Sequence, residues 1–166
     1  MVQNPIRGKA HVFGDNIDTD QILAGCYLEL TDPLQIASHC MESIDPDFAG
    51  RFQNGDIVVA GTNFGCGSSR EHAVIALKYL GAGAVVAKSF ARIFFRNAIN
   101  LGLPVLVCRD IDRIAAQGRE LSIDTGNWTL GAYGCPQSVS VEPVSDYALK
   151  ILNAGGIKPL MKTAQD

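Results

Sequence analysis

Ten consecutive residues, Asn63-Phe64-Gly65-Cys66-Gly67-Ser68-Ser69-Arg70-Glu71-His72, gather the groups of this chain best suited to chemistry. Two adjacent hydroxyls, a guanidinium and a thiol stand among glycines. The apolar run Ile57-Val58-Val59-Ala60 precedes them and an apolar-periodic segment follows, which reads as strand, glycine-rich turn and helix N-terminus. Amides at such a turn point outward unpaired, and the helix dipole adds positive potential. An anionic substrate or a developing oxyanion fits there. A purely structural reading competes: Ser68 as N-cap and Glu71 at N3 would form a capping box, and the serines would then only start a helix. Arg70 fits that reading less well. A cation in the first turn lies against the positive end of the dipole, and an anion in front of it removes the conflict.

The elements that must position these groups follow from the apolar pattern. Ile6 to Phe13 reads as a strand, followed by the polar loop Asp15-Asn16-Ile17-Asp18-Thr19-Asp20. That loop lacks the glycine and glutamate positions of a calcium-binding EF-hand, so an Asx-turn that caps the next element is expected. Gln21 to Leu30 is apolar but broken by Gly25, and Asp32-Pro33 opens a short helix to about Met41. Residues 42–55 read as loop. Strand 56–60, the glycine turn, helix 69–80, strand 83–88, helix 90–101 and strand 104–108 then form a βαβαβ unit, which predicts parallel strands. On helix 90–101, Phe90, Ile93, Phe94, Ala98 and Leu101 make an apolar stripe. Arg92, Arg96 and Asn100 share another face, either solvated or a contact surface for a partner. A short helix over Asp110–Gln117, a hairpin around Thr125-Gly126-Asn127, a strand at Val139–Val141 and a last helix from Ser145 to Gly155-Gly156 complete the chain.

Composition bounds the function. At 166 residues and 47% apolar content, one domain spanning 1–166 with a substantial core is expected. A net charge of −3 without a basic block argues against nucleic acid as partner. No run approaches the ~18 apolar residues of a membrane span, and the first residues lack the pattern of a signal peptide, so a cytoplasmic protein without a membrane partner is expected. The five cysteines, at 26, 40, 66, 108 and 135, form no CxxC or CxxxC pair, and the three histidines are scattered. No metal or cluster held by this chain alone is expected. Cys66, between two glycines, is read as a small turn residue.

Four segments together carry a resemblance: Gly14-Asp15-Asn16-Ile17-Asp18-Thr19-Asp20, the stretch from Asn63 to His72, Lys88-Ser89-Phe90-Ala91-Arg92-Ile93, and Asn97-Ala98-Ile99-Asn100-Leu101-Gly102-Leu103-Pro104. In order and spacing they resemble the small subunits of 3-isopropylmalate dehydratase and, more distantly, the swivelling C-terminal domain of aconitase. The likeness spans roughly residues 6–156. It implies an α/β fold of the swivelling β/β/α type. It also implies a larger partner subunit bearing a 4Fe-4S cluster, in a heterodimer or heterotetramer. This chain would be one half of a hydro-lyase that isomerises 2-isopropylmalate to 3-isopropylmalate in leucine biosynthesis, inactive by itself.

Residue by residue, the resemblance makes Ser68 the catalytic base, an alkoxide that removes a proton next to a carboxylate. Arg70 matches a substrate-carboxylate arginine and Ser69 adds a hydrogen bond. The loop Tyr27-Leu28-Glu29-Leu30 sits where relatives read the substrate's third substituent. Glu29 occupies the position of an arginine in homoaconitase-like relatives and would repel a third carboxylate, while Leu30 would cover an alkyl group. Phe13-Gly14 replaces a further arginine of aconitase, which disfavours citrate. Related hydroxy diacids of the dimethylmalate, citramalate or homoaconitate type are the alternatives, since a methylene is worth only ~1–3 kcal/mol of discrimination. A non-catalytic anion-binding regulatory module is a further one.

Overall fold

The computed structural model describes residues 2–165. Seven strands form one sheet in the order β4-β3-β2-β1-β5-β6-β7. Strands β1 (Ile6–Val12), β2 (Ile57–Ala60), β3 (Ala84–Ala87) and β4 (Val105–Val107) run parallel. Strands β5 (Glu120–Asp124), β6 (Thr129–Ala132) and β7 (Ser138–Ser140) continue from the other edge of β1 as an antiparallel meander. The parallel βαβαβ unit and the hairpin expected from the sequence are both present.

Burial explains why β2 and β3 read as unbroken apolar runs. All eight of their residues are buried. Val58, Ala60, Val85 and Ala87 face one core, shared with the helices, as does Val105 of β4. Ile57, Val59, Ala84 and Val86 face a second core, completed by Leu121, Ile123, Leu130, Ala132 and Val139 from the meander. Strands covered on both sides lose the polar alternation that marks a half-exposed sheet, whereas β5 to β7 keep it. The meander can cover the strands it extends only if the sheet curls back, which gives the β/β/α layering. Just beyond β7, the Val141 amide donates to Trp128 and the Glu142 amide donates to Val107 of β4, both at 2.8 Å. The two ends of the sheet therefore nearly meet.

The helical layer holds α1 (Thr19–Ile22), α2 (Pro33–Ser38), α3 (Phe48–Arg51), α4 (Glu71–Leu80), α5 (Arg92–Leu101), α6 (Asp146–Ala154) and α7 (Ile157–Thr163). Asp32 caps α2 and Ser145 caps α6, as read from the sequence. Four expectations need correction. Residues 42–55 include the short helix α3. The segment after Asp110 forms only one 3-10 turn, Ile111–Arg113. Ser145 does not open the last helix: Gly155 and Gly156, both at positive φ, break the chain between α6 and α7 without ending the helical layer. On α5, Ile93 is 55% exposed, and the buried stripe is Phe94, Ala98 and Ile99. No helix is long and apolar enough to cross a membrane among the described residues.

A polar pair sits at the start of β2. Asp56 is 5% exposed and accepts from His11 Nε2 at 2.8 Å, from the Gln53 amide at 3.1 Å and from the Lys9 amide at 3.2 Å. His11 packs against Phe48 and Phe52. One carboxylate thus ties β1 to the turn before β2, and its partner His11 packs on Phe48 of α3. Removing it leaves three donors without an acceptor in a place water reaches poorly. Asp56→Ala is expected to lower unfolding free energy by about 3 kcal/mol in chemical denaturation, with no change in denaturant slope.

Candidate active site

Three loops leave the carboxyl ends of β1, β2 and β3 side by side, the usual place for a ligand in a parallel sheet. Backbone hydrogen bonds knit them beyond the strands. The Gly65 amide donates to Ile17 at 2.7 Å, Thr19 to Cys66 at 2.9 Å, Phe64 to Ser89 at 3.1 Å and Ala91 to Phe64 at 3.0 Å. Asn16 donates to Thr62 and Gly61 to Gly14, while Asp15 Oδ1 accepts from Thr62 at 2.7 Å and Ser89 Oγ from Asn63 at 2.8 Å. The expectation of free amides along the whole glycine turn is therefore wrong for Gly61 to Gly65. These amides are consumed in holding the turn. The free donors start at Gly67, Ser68 and Ser69, whose amides bond to no other described residue.

Gly65 is required where it stands. Its φ is +80°, and a β-carbon there would lie 2.2 Å from the Phe94 ring on α5. The turn thus rests directly on the helix, and Gly67 at φ +91° reverses the chain toward α4.

The capping box at Ser68 and Glu71 does not form. Helix α4 begins at Glu71, its N-cap is Arg70 with extended backbone, and no side chain caps it. The reason lies across the loop: Thr19, 2% exposed, donates its hydroxyl at 2.9 Å to the Ser68 carbonyl, the acceptor that an N-cap residue offers to the first helical amide. The helix starts two residues later than a Ser68 cap would allow. The box forms instead at Asp18, which accepts from the Gln21 amide at 2.8 Å while Gln21 Oε1 accepts from the Asp18 amide at 3.0 Å. Ser68 and Ser69 are left exposed, and Ser68 Oγ has the Thr19 hydroxyl at 3.5 Å as its neighbour.

Arg70 sits before the helix, not in its first turn, and its side chain is 23% exposed. Its Nη1 donates to Asp20 Oδ1 at 3.0 Å, and the same oxygen accepts from the Gly25 amide at 3.0 Å. The Arg70 hydrogen bond, then that of Gly25, holds the Asp20 carboxyl below the usual aspartate range. A small crevice joins Thr19, Ser68, Ser69 and Arg70 to Ile93 and Asn97 of α5. Of these, Thr19 and Asn97 escape a sequence reading as site residues, as does Asp20. Asn97 follows Ile93 by one helical turn, and that spacing on the exposed side of α5 was the available signal.

The four residues of the expected specificity loop do not line this crevice. Gly25–Tyr27 form a 3-10 turn. Tyr27 stacks on His39, ring centroids 3.8 Å apart, and a hydrogen bond with Glu42 raises its hydroxyl pKa. Tyr27 and Leu30 pack on the helical core, Leu28 is half-buried, and Glu29 is exposed. What joins this loop to Arg70 is Asp20, through the Gly25 amide.

The cysteines lie apart. Cys40 and Cys108 are buried, Cys26 and Cys135 exposed, and Cys66 lies in the turn. Burial pushes the Cys40 and Cys108 thiols up, the latter to about 11. Among the described residues, no three His, Cys, Asp or Glu side chains could hold a metal ion, and these residues offer no ligand set for an iron–sulfur cluster.

A sheet of this layering with a Ser-Ser-Arg turn at its carboxyl end defines the class of swivelling aconitase-type domains. A family model described as the aconitase C-terminal domain matches residues 38–109. At the level of fold alone the chain also resembles aconitase X of Thermococcus kodakaraensis, with TM-score 0.50, 18% identity and coverage of 85% of this chain and 92% of that one. Full-length likenesses narrow the class. The 3-isopropylmalate dehydratase small subunit 1 of Methanopyrus kandleri is 48% identical over 97% of this chain and 95% of its own, and the small subunit of Moorella thermoacetica is 49% identical over 93% of each. The crystal structure of 3-isopropylmalate dehydratase from Methanocaldococcus jannaschii matches with TM-score 0.92 and 46% identity, covering 97% of this chain and 95% of that one. The chain belongs to the family of 3-isopropylmalate dehydratase small subunits.

The Asp20–Arg70 pair gives a pH dependence. A carboxyl whose pKa is lowered on folding stabilises the fold above its unfolded value and loses that contribution as pH falls through the lowered value. Asp20 is largely exposed, so the effect on stability is small, but its titration is readable. Carboxyl 13C NMR is expected to give Asp20 a midpoint below the ordinary aspartate value, moving back up in Arg70→Ala. An unmoved midpoint in that variant would show that the pair does not persist in solution.

Proposed function

We propose that this chain is the small subunit of a heteromeric hydro-lyase that interconverts 2-isopropylmalate and 3-isopropylmalate by dehydration and rehydration, a step of leucine biosynthesis in the cytoplasm. The full-length likeness to small subunits supports the reaction class. The observation that carries the site assignment is the convergence of an uncapped helix start, free amides at Gly67 to Ser69, the Ser68 hydroxyl and the Arg70 guanidinium on one crevice. In this reading Ser68 Oγ, as alkoxide, takes the proton from the carbon beside a substrate carboxylate. The C–H electron pair forms the double bond as the C–O bond to the neighbouring hydroxyl breaks, and that oxygen leaves as water with a proton from an acid that the large subunit would supply. Water returns with the opposite regiochemistry. A serine is a weak base at neutral pH, and the fixed dipoles of the adjacent amides and of the α4 N-terminus favour its charged form. Arg70 pairs with a substrate carboxylate and Ser69 adds a donor.

The crevice is too small to enclose a diacid, which supports a larger subunit as the other wall of the site. A 4Fe-4S cluster belongs to that subunit in this reading. The isolated chain is then inactive.

Ser68→Ala separates this role from a structural one. Ser68 caps no helix, so stability is expected to stay within about 0.5 kcal/mol of the parent. Turnover by the anaerobically assembled enzyme is expected to fall by about 10³-fold or more. Retained turnover would remove Ser68 from the chemistry.

Specificity is proposed to lie in the Tyr27–Leu30 loop, with Glu29 opposing a third carboxylate. The exposure of Glu29 screens this effect, so a shift and not a switch is expected. In assembled enzyme, Glu29→Arg is expected to raise the ratio of kcat/KM for a homoaconitate-type substrate over isopropylmalate. An unchanged ratio would place specificity elsewhere.

A further inference from the structure

Helix α5 buries Phe94, Ala98 and Ile99 and turns Arg92, Ile93 and Arg96 outward. Ile93 is 55% exposed and stands between the two arginines on this face. Neither arginine has a carboxylate within 4.0 Å among the described residues. On one side this face meets the active-site crevice, which Ile93 and Asn97 help to line. On the other it opens into a cavity of about 460 Å³ at the carboxyl ends of β3 and β4. Phe90, Phe95 and Val107 supply apolar wall there, and Lys88, Arg92, Arg96 and Arg109 supply charge.

The charge is out of keeping with the rest of the molecule. The chain carries −3 overall, yet four cations and one carboxylate line this cavity. Two of the cations have surface partners, Lys88 with Asp112 and Arg109 with Glu142, both at 2.8 Å. Pairs of that kind contribute little in water and can exchange for other carboxylates. Arg92 and Arg96 have no such partner to give up.

We infer that the outer face of α5 and the cavity beside it form the docking surface for an acidic segment of the large subunit. In this arrangement carboxylates meet Arg92 and Arg96, and an apolar side chain packs against the wall that Phe90 and Phe95 form together. The inference rests on the reading of this chain as a small subunit. Continuity argues for that occupant over any other: the surface begins at the crevice that the large subunit must cover, so the same partner extends across it. Charge complementarity of this type governs association rate and salt dependence more than chemistry.

The test measures association of the separately purified large subunit with this chain by anaerobic calorimetry at several salt concentrations. The variant is Arg92→Glu with Arg96→Glu. The charge-matched control is Lys158→Glu with Lys162→Glu, both exposed on α7. The first is expected to raise Kd about 100-fold and flatten its salt dependence, the control to change Kd less than about threefold. At saturating large subunit, kcat of the α5 variant is expected to stay within about threefold of the parent. Equal Kd for the two variants would overturn the inference while leaving the functional reading intact. Failure of the parent chain itself to bind the large subunit would overturn both. Should the double reversal perturb folding by circular dichroism, Arg92→Gln with Arg96→Gln decides, with about a tenfold rise in Kd expected and no rise overturning. Unchanged large-subunit binding, with loss of affinity for a small dicarboxylate such as malonate, would reassign the cavity to a ligand.

Discussion

The whole site depends on one run of backbone hydrogen bonds laid beyond the ends of the strands. Gly65 reaching Ile17, Thr19 reaching Cys66, and Phe64 exchanging bonds with Ser89 and Ala91 turn three separate loops into a continuation of the sheet. Only a residue without a side chain allows this, since the turn lies against Phe94 at Gly65. Once those bonds form, the chain has no freedom until Cys66. The catalytically suited residues come immediately after, where the amides stop being used internally. Rigid scaffold and open donors are thus adjacent by construction, which is the arrangement preorganised electrostatics requires.

Much of this was legible in the sequence, and the exceptions share a cause. Apolar runs located β2, β3 and β4 because strands buried on both faces carry no polar interruption. Asp32 and Ser145 located helix starts because their signals are local. Ser68 and Glu71 offered an equally good local signal and misled. A capping box needs the carbonyl of the cap residue for the first helical amide, and Thr19, almost fifty residues away, engages the Ser68 carbonyl with its hydroxyl. Ile93 failed likewise: its place in the 3.6-residue repeat matched the core, yet Phe94 is the side chain of α5 that packs on the glycine turn, and Ile93 lies outside. Long-range contacts decided both, and periodicity does not contain them. At the site, local patterns alone left Ser68 between a cap and a chemical role, and the chemical role comes only from the family resemblance.

Arg70 shows how the site is set before any ligand arrives. Its guanidinium is mostly covered and aimed by Asp20, and the same carboxylate oxygen holds the Gly25 amide at the head of the Tyr27–Leu30 loop. A ligand carboxylate that draws on Arg70 therefore competes with, or adds to, an interaction that also anchors that loop. The two regions are physically coupled although the loop does not line the crevice.

The near-meeting of the two ends of the sheet has a consequence for the life of the free chain. A subunit made separately from its partner spends time alone, and strand β4 would then present an unsatisfied row of backbone groups to every neighbouring copy. The Glu142 amide, donating to Val107, satisfies the last carbonyl of that row from within the same molecule. A three-residue edge strand partly covered by its own chain is a poor template for edge-to-edge pairing. The cations beside that edge remain available for other work.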